Sequence, residues 1–176
     1  FIFTPRFFPE GVVQAKLLAI AILTIFIPIV FYFLLKNLGK AQSVFLVDVK
    51  ERKWPLIFYS ILITMVLNQI LNAYNYAALY YYFTGILFAT IVAFVLVVFK
   101  LKASLHMMGL GGLLVFLIGI SLNFKIDLTY TISFLILALG LTASSRIYYK
   151  AHTINELVLG LACGMITQVL VLNLWL

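Results

Sequence analysis

Six long apolar segments constrain this chain more than any other feature. Each is long enough to cross about 30 Å of hydrocarbon as a helix, at about 1.5 Å per residue. The chain is 65% hydrophobic and only 10% charged, unlike a soluble domain. Its apolar residues are continuous rather than alternating, which argues against membrane-spanning strands. The predicted spans cover about residues 16–35, 54–73, 77–99, 107–123, 128–144 and 155–175.

The six spans use almost all of the 176 residues. We therefore expect one all-α domain over residues 1–176, a six-transmembrane-helix bundle surrounded by membrane lipids. We expect a multi-pass protein of a bacterial cytoplasmic (inner) membrane, with no nucleic-acid partner. The sequence does not indicate its oligomeric state. The single cysteine, Cys163, lies inside the sixth segment, so no intrachain disulfide can form.

The positive charge is concentrated at one end of the predicted bundle. With six spans, the loops between spans 1 and 2, 3 and 4, and 5 and 6 share a face that holds nine of the twelve cations and +6 of the net +7 charge. A positive-inside bias would make this face cytoplasmic, whereas a binding site for an anion would need the same cations for another reason. The nine cations are Lys36, Lys40, Lys50, Arg52, Lys53, Lys100, Lys102, Arg146 and Lys150; Asp48, Glu51 and Glu156 oppose them.

Both histidines lie in polar stretches on this face, 100–106 and 145–156. His152 and Glu156 are four residues apart at the start of a helix, so they share one side of it. A carboxylate there can accept the Nδ1 proton of the imidazole and leave Nε2 as a nucleophile or base. His106, at the start of the fourth span, can serve as a proton donor.

Several neighbours can bind an anion, although each also has a structural interpretation. Arg146 can hold two oxygens in a bidentate fork, or extend to lipid headgroups. Ser104 can donate to an oxyanion, or simply begin a helix. Glu156 can orient His152, or close a capping box with Thr153. Further positive charge comes from Lys102, Arg52 and Lys53.

These stretches resemble the motifs of the type 2 phosphatidic acid phosphatase (lipid phosphate phosphatase) superfamily. The family's third motif, S-R-x5-H-x3-D, is met at Ser145, Arg146 and His152, with Glu156 in place of the aspartate. In the second motif, P-S-G-H, this chain has A-S-L-H over residues 103–106, so the serine and the histidine match.

The first motif of the family, K-x6-R-P, is the least conserved in this chain. Pro55 fits, but Trp54 takes the arginine position and Val47 the lysine position. Arg52 and Lys53, just upstream, are the candidates to replace the missing charge. The departures in the first two motifs also favour a relative that is weak, altered or inactive.

The resemblance implies a six-helix membrane phosphatase that removes phosphate from a lipid phosphate or diphosphate without a metal or cofactor. His152 would form a phosphohistidine, Glu156 would orient it, and His106 would protonate the leaving alkoxide. The implied phosphate ligands are Arg146, Ser104, Lys102, Arg52 and Lys53.

Two other functions compete with this one. An inactive relative would keep the bundle and bind anionic lipid headgroups, or scaffold a membrane complex. A b-type haem protein would use His106 and His152 as axial ligands. The positive-inside bias and the family resemblance also disagree on sidedness. The bias places the motif face in the cytoplasm, whereas family enzymes usually carry it outside, and we follow the family.

Overall fold

A computed structural model describes residues 9–39 and 49–175. Three positions used above, Lys40, Val47 and Asp48, lie outside these ranges. Within them the chain is helical and contains no strand, and six helices are long and apolar enough to cross a membrane. The predicted all-α architecture, with six apolar helices of membrane-spanning length, is therefore confirmed for the described residues. The helices are α1 (Glu10–Asn37), α2 (Lys53–Ile70), α3 (Ala77–Val98), α4 (Leu105–Phe124), α5 (Thr129–Tyr148) and α6 (Ile154–Leu172).

The helix ends differ from the predicted bounds most at the start of α1, which begins at Glu10 rather than residue 16, and at the end of α5. Helix α5 continues to Tyr148, so Arg146 lies in its last turn rather than in a loop. Helix α4 begins at Leu105 after the N-cap Ser104, which places His106 in the first turn. Polar residues near the membrane edge can continue a helix, because the backbone hydrogen bonds do not depend on the side chain. A prediction from hydropathy alone therefore misplaces helix ends by a few residues.

Lysines close three of the helices in the left-handed conformation. Lys100, Lys125 and Lys150, just beyond α3, α4 and α5, have φ of 60°, 52° and 52°. After each of them an amide N–H returns to a carbonyl five residues back, as in Leu101 to Leu96, which satisfies the helix end. A lysine there meets the negative end of the helix dipole, which offsets part of the cost of a non-glycine residue in this conformation.

Helix α1 contains a widened turn next to its proline. Ile22–Phe26 form a π turn, and the amide of Ile27 donates to the carbonyl of Ile22. Pro28 follows directly and has no N–H to give to the preceding turn. The wider turn accommodates that missing donor and keeps the helix continuous from Glu10 to Asn37.

Helices α4 and α6 form the closest pair in the bundle. Two glycines of α6 face the backbone of α4: a Cβ at Gly160 would lie 2.4 Å from the carbonyl oxygen of Ser104, and one at Gly164 would lie 1.9 Å from that of Met108. Small residues at such spacing let membrane helices approach closely. Because α4 and α6 run in the same direction, both present their first turns at one end.

Hydrogen bonds between loops gather the charged segments at that end. Arg52, just before α2, donates to the carbonyl of Ala103, just before α4. Lys102 donates to the carbonyl of Ala151, just before α6. At the opposite end, Lys16 of α1 donates to the carbonyl of Ile70 at the end of α2. The segments preceding α2, α4 and α6 therefore share one face of the bundle.

Candidate functional site

One carboxylate oxygen organises the start of α6. Glu156 Oε2 accepts from His152 Nδ1 at 2.7 Å and from the amide of Thr153 at 3.4 Å. The Glu156 amide in turn donates to Thr153 Oγ1 at 3.4 Å, which completes a capping box. The two interpretations offered for Glu156 are thus not exclusive. Because the bond to the carboxylate places the hydrogen on Nδ1, the lone pair of the neutral ring is on Nε2.

Burial keeps the His152 ring neutral. Its side chain is only 6% exposed. Burial lowers the pKa of His152, the hydrogen bond that His152 donates to Glu156 opposes this shift, and the positive charges of Lys102 and Arg52 lower the pKa further. The pKa therefore lies below the ordinary imidazole value of about 6.5, so the ring has an available lone pair at neutral pH.

The second histidine is paired with the predicted phosphate ligand. Arg146 Nη2 lies 2.8 Å from His106 Nε2. A guanidinium has only donors, so His106 Nε2 accepts, and its ring is neutral with the hydrogen on Nδ1. This bond joins the last turn of α5 to the first turn of α4. The charge of Arg52 also acts on the His106 ring.

Two more predicted cations hold the loops together. Lys102 Nζ donates to the Ala151 carbonyl at 2.7 Å and lies 3.7 Å from Glu156 Oε2. Arg52 is 5% exposed and donates from Nη1 to the Ala103 carbonyl at 3.0 Å. Burial lowers the pKa of Arg52, and the charge of Glu156 opposes that shift. These cations fix the backbone around the histidines as well as adding positive potential.

The remaining two predicted ligands lie apart from this arrangement. Ser104 is fully buried, at 0% exposure, and its hydroxyl accepts from the Met107 amide at 3.5 Å. Its own amide donates to the Glu156 carbonyl at 3.0 Å, which ties α4 to α6. Lys53 is exposed at the first residue of α2. The contact of either residue with phosphate stays a prediction.

Two cavities adjoin the histidines. The first, which we call the outer hollow, has a volume of about 270 Å³ and lies over His152. The second, the inner cavity, has a volume of about 420 Å³ and extends into the bundle from His106. The outer hollow is lined by Lys102, Ile147, Lys150, Ala151, His152, Thr153 and Glu156.

Comparison of the chain with protein-family models, curated proteins and solved structures finds no significant match. The chemistry of the site is therefore argued from its geometry. Within residues 9–39 and 49–175, no three His, Cys, Asp or Glu side chains are grouped so that they could hold a metal ion. The groups that do meet are Arg146 with His106, and His152 and Lys102 with Glu156. Cations beside imidazoles are suited to binding an oxyanion.

The sequence analysis missed two kinds of residue around the site. Lys150 lines the outer hollow, although it was counted only as part of the basic face. Gln168, Tyr82 and Thr90 line the inner cavity. A polar side chain inside an apolar span was the available signal for the last three, since such residues are costly in a membrane and commonly functional.

Proposed function

We propose that this protein is a membrane lipid phosphate or diphosphate phosphatase of the type 2 phosphatidic acid phosphatase kind, acting through a phosphohistidine. The observation that supports this most is the 2.7 Å bond from His152 Nδ1 to Glu156. It leaves a buried, neutral imidazole with its lone pair on Nε2, and the positive charges of Lys102 and Arg52 act on this ring. Each of these properties is what a nucleophile for a phosphoryl group needs.

In the first step, His152 Nε2 attacks phosphorus as the bond from phosphorus to the lipid oxygen breaks. The leaving alkoxide takes a proton from His106, and Glu156 stabilises the positive charge that develops on His152. In the second step, His106 removes a proton from water, whose oxygen attacks the same phosphorus. The bond from phosphorus to Nε2 then breaks, which releases inorganic phosphate and restores neutral His152.

The contact between Arg146 and His106 links substrate binding to this proton transfer. In the structure Arg146 occupies the Nε2 lone pair of His106. A phosphoryl group draws the guanidinium to its own oxygens, because a bidentate pair of charge-assisted bonds is stronger than a bond to a neutral ring. Nε2 can then bind the proton that the leaving group needs. His106 is thus prepared as an acid only when phosphate is present.

Replacing the nucleophile tests this mechanism. The His152→Ala protein should release phosphate from phosphatidate and from a polyprenyl diphosphate at least about a thousandfold more slowly in detergent. Tyr149→Ala, an exposed change in the same loop, is the matched control and should keep its rate. Mass spectrometry of the wild-type protein quenched during turnover should find phosphate on His152. Unchanged turnover in the His152→Ala protein would exclude this mechanism.

A non-catalytic lipid-binding protein is the second candidate, and two contacts favour it. The Ser104 hydroxyl is buried in a helix cap, and Arg52 binds the Ala103 carbonyl. Two predicted phosphate ligands therefore have structural roles, which leaves a basic site with fewer groups for catalysis. Binding of phosphatidate that depends on Arg146, without phosphate release by the wild-type protein, would select this function.

A further inference from the structure

The inner cavity lies inside the bundle, between α2, α3, α4 and α6. Its volume of about 420 Å³ is within the range of about 300–1,000 Å³ that small-molecule sites occupy. His106 lines the cavity and also binds Arg146, so the cavity begins at the candidate site. Most of its wall is apolar, including Leu56, Ile86, Ala89, Leu110 and Leu113.

One side chain in this wall carries an unused hydrogen-bond donor. Gln168 of α6 is 1% exposed and lines the cavity. Its Nε2 has no hydrogen-bond partner in the described part of the chain. A buried amide without a partner is destabilising, and polar residues that persist inside apolar spans commonly contact a ligand. The donor therefore indicates a ligand with an acceptor oxygen.

Gly85 of α3 fixes the position of this amide. A Cβ at Gly85 would lie 2.1 Å from Gln168 Oε1 and 3.3 Å from Nε2. The amide is thus packed closely against Gly85, with its oxygen nearer to that position than its nitrogen. Any side chain at position 85 would displace it.

The depth of Gln168 restricts which oxygen it can meet. Gly164 faces Met108 across the pair formed by α4 and α6, so Gln168, one turn further, is level with Gly112. That level is six residues below His106, or about 9 Å along the helix. A lipid whose phosphate is at the histidines places its acyl ester carbonyls a few bonds deeper. A polyprenyl chain has no acceptor at that depth.

We propose that the inner cavity binds the upper acyl region of an ester-linked lipid phosphate, and that Gln168 Nε2 donates a hydrogen bond to an acyl carbonyl. This assignment is based on the proposed function, because the phosphate at the histidines sets the depth of the carbonyl. It makes Gln168 a specificity residue for ester-linked acyl lipids over polyprenyl phosphates.

The affinities of an ester-linked and an ether-linked phosphatidate with equal chain lengths test this proposal. The purified whole chain in detergent should bind the ester lipid about tenfold more tightly, the difference expected for one net hydrogen bond. In Gln168→Leu the two affinities should become equal, and Gly85→Ala should reduce the preference because it displaces the amide. Gln69→Leu, an exposed glutamine of α2, is the matched control and should keep the tenfold preference.

The outcomes distinguish this inference from the proposed function. Equal affinities in the wild-type protein, or a preference that survives Gln168→Leu, overturn the carbonyl site even if phosphate is released. A preference that depends on Gln168 in a protein without phosphate release supports the site and excludes the phosphatase. Thermal unfolding of each variant checks that it is folded. If Gln168→Leu does not fold, the reduced ester preference expected of Gly85→Ala tests the same hydrogen bond.

Discussion

At the scale of single residues, the charges around His152 predict the pH dependence of catalysis. The pKa of His152 is lowered by burial and by Lys102 and Arg52, and it is raised by Glu156. Because the neutral ring is the proposed nucleophile, kcat/KM should fall as the pH drops through this pKa. The acid limb should therefore lie below about pH 6.5. Glu156→Gln should move the limb to lower pH, and Lys102→Met should move it to higher pH.

The pH dependence of kcat/KM, measured with phosphatidate in detergent, checks both shifts. Lys150→Met is the matched control, because Lys150 lines the same hollow but is not among the charges that act on His152. Its acid limb should stay at the wild-type position. Shifts of the same sign in Glu156→Gln and Lys102→Met would show that another group controls the limb.

Some of these residue contacts follow from spacing and others do not. His152 and Glu156 are four residues apart on one helix, so their contact was predictable from the sequence. The burial of Ser104 was not, because it depends on how closely α4 approaches α6 at Gly160. A distance between two helices is set by packing, which a local pattern does not contain.

At the scale of helices, the contact between α4 and α6 predicts a large effect of a small change. In Gly164→Ala the new Cβ would lie 1.9 Å from the Met108 carbonyl oxygen, so a backbone must move. We expect a loss of about 1–3 kcal/mol of stability, as for overpacked cores. Phosphate release should also fall, because α4 carries His106 and α6 orients His152 through Glu156.

Gly140→Ala in α5 is the control for this change, since nothing lies within 4 Å of a Cβ at that position. Its thermal unfolding in detergent and its phosphate release should match the wild-type protein. A Gly164→Ala protein as stable and as active as wild type would show that α4 and α6 can separate without moving the histidines.

The number of helices was easier to predict than their ends. Length and apolarity are local properties, so six spans were evident from the sequence. The first-turn position of His106 and the last-turn position of Arg146 depend on caps at Ser104 and Lys150. Those two ends determine which side chains face each other across the site.

At the scale of the whole molecule, three of the cations behind the charge asymmetry have contacts within the protein. Lys102 and Arg52 hold loops together through backbone carbonyls, and Arg146 contacts His106. Cations with such roles would be retained on either side of a membrane. The positive charge of this face is therefore a weak guide to its sidedness, even though the positive-inside rule takes it as a signal for the cytoplasm.

The proposed phosphatase function predicts that the face that carries the histidines lies outside the cytoplasm, as is usual for the family that these motifs resemble. Single cysteines at Tyr149 and Tyr130, in a Cys163→Ala background, mark the two ends of α5, and both positions are exposed. A membrane-impermeant maleimide should label Tyr149→Cys in intact cells, and it should label Tyr130→Cys only after permeabilisation. The reverse pattern would place the basic face in the cytoplasm, and topogenic bias would then account for its charge. The lipid phosphate would in that case have to reach the site from the inner leaflet.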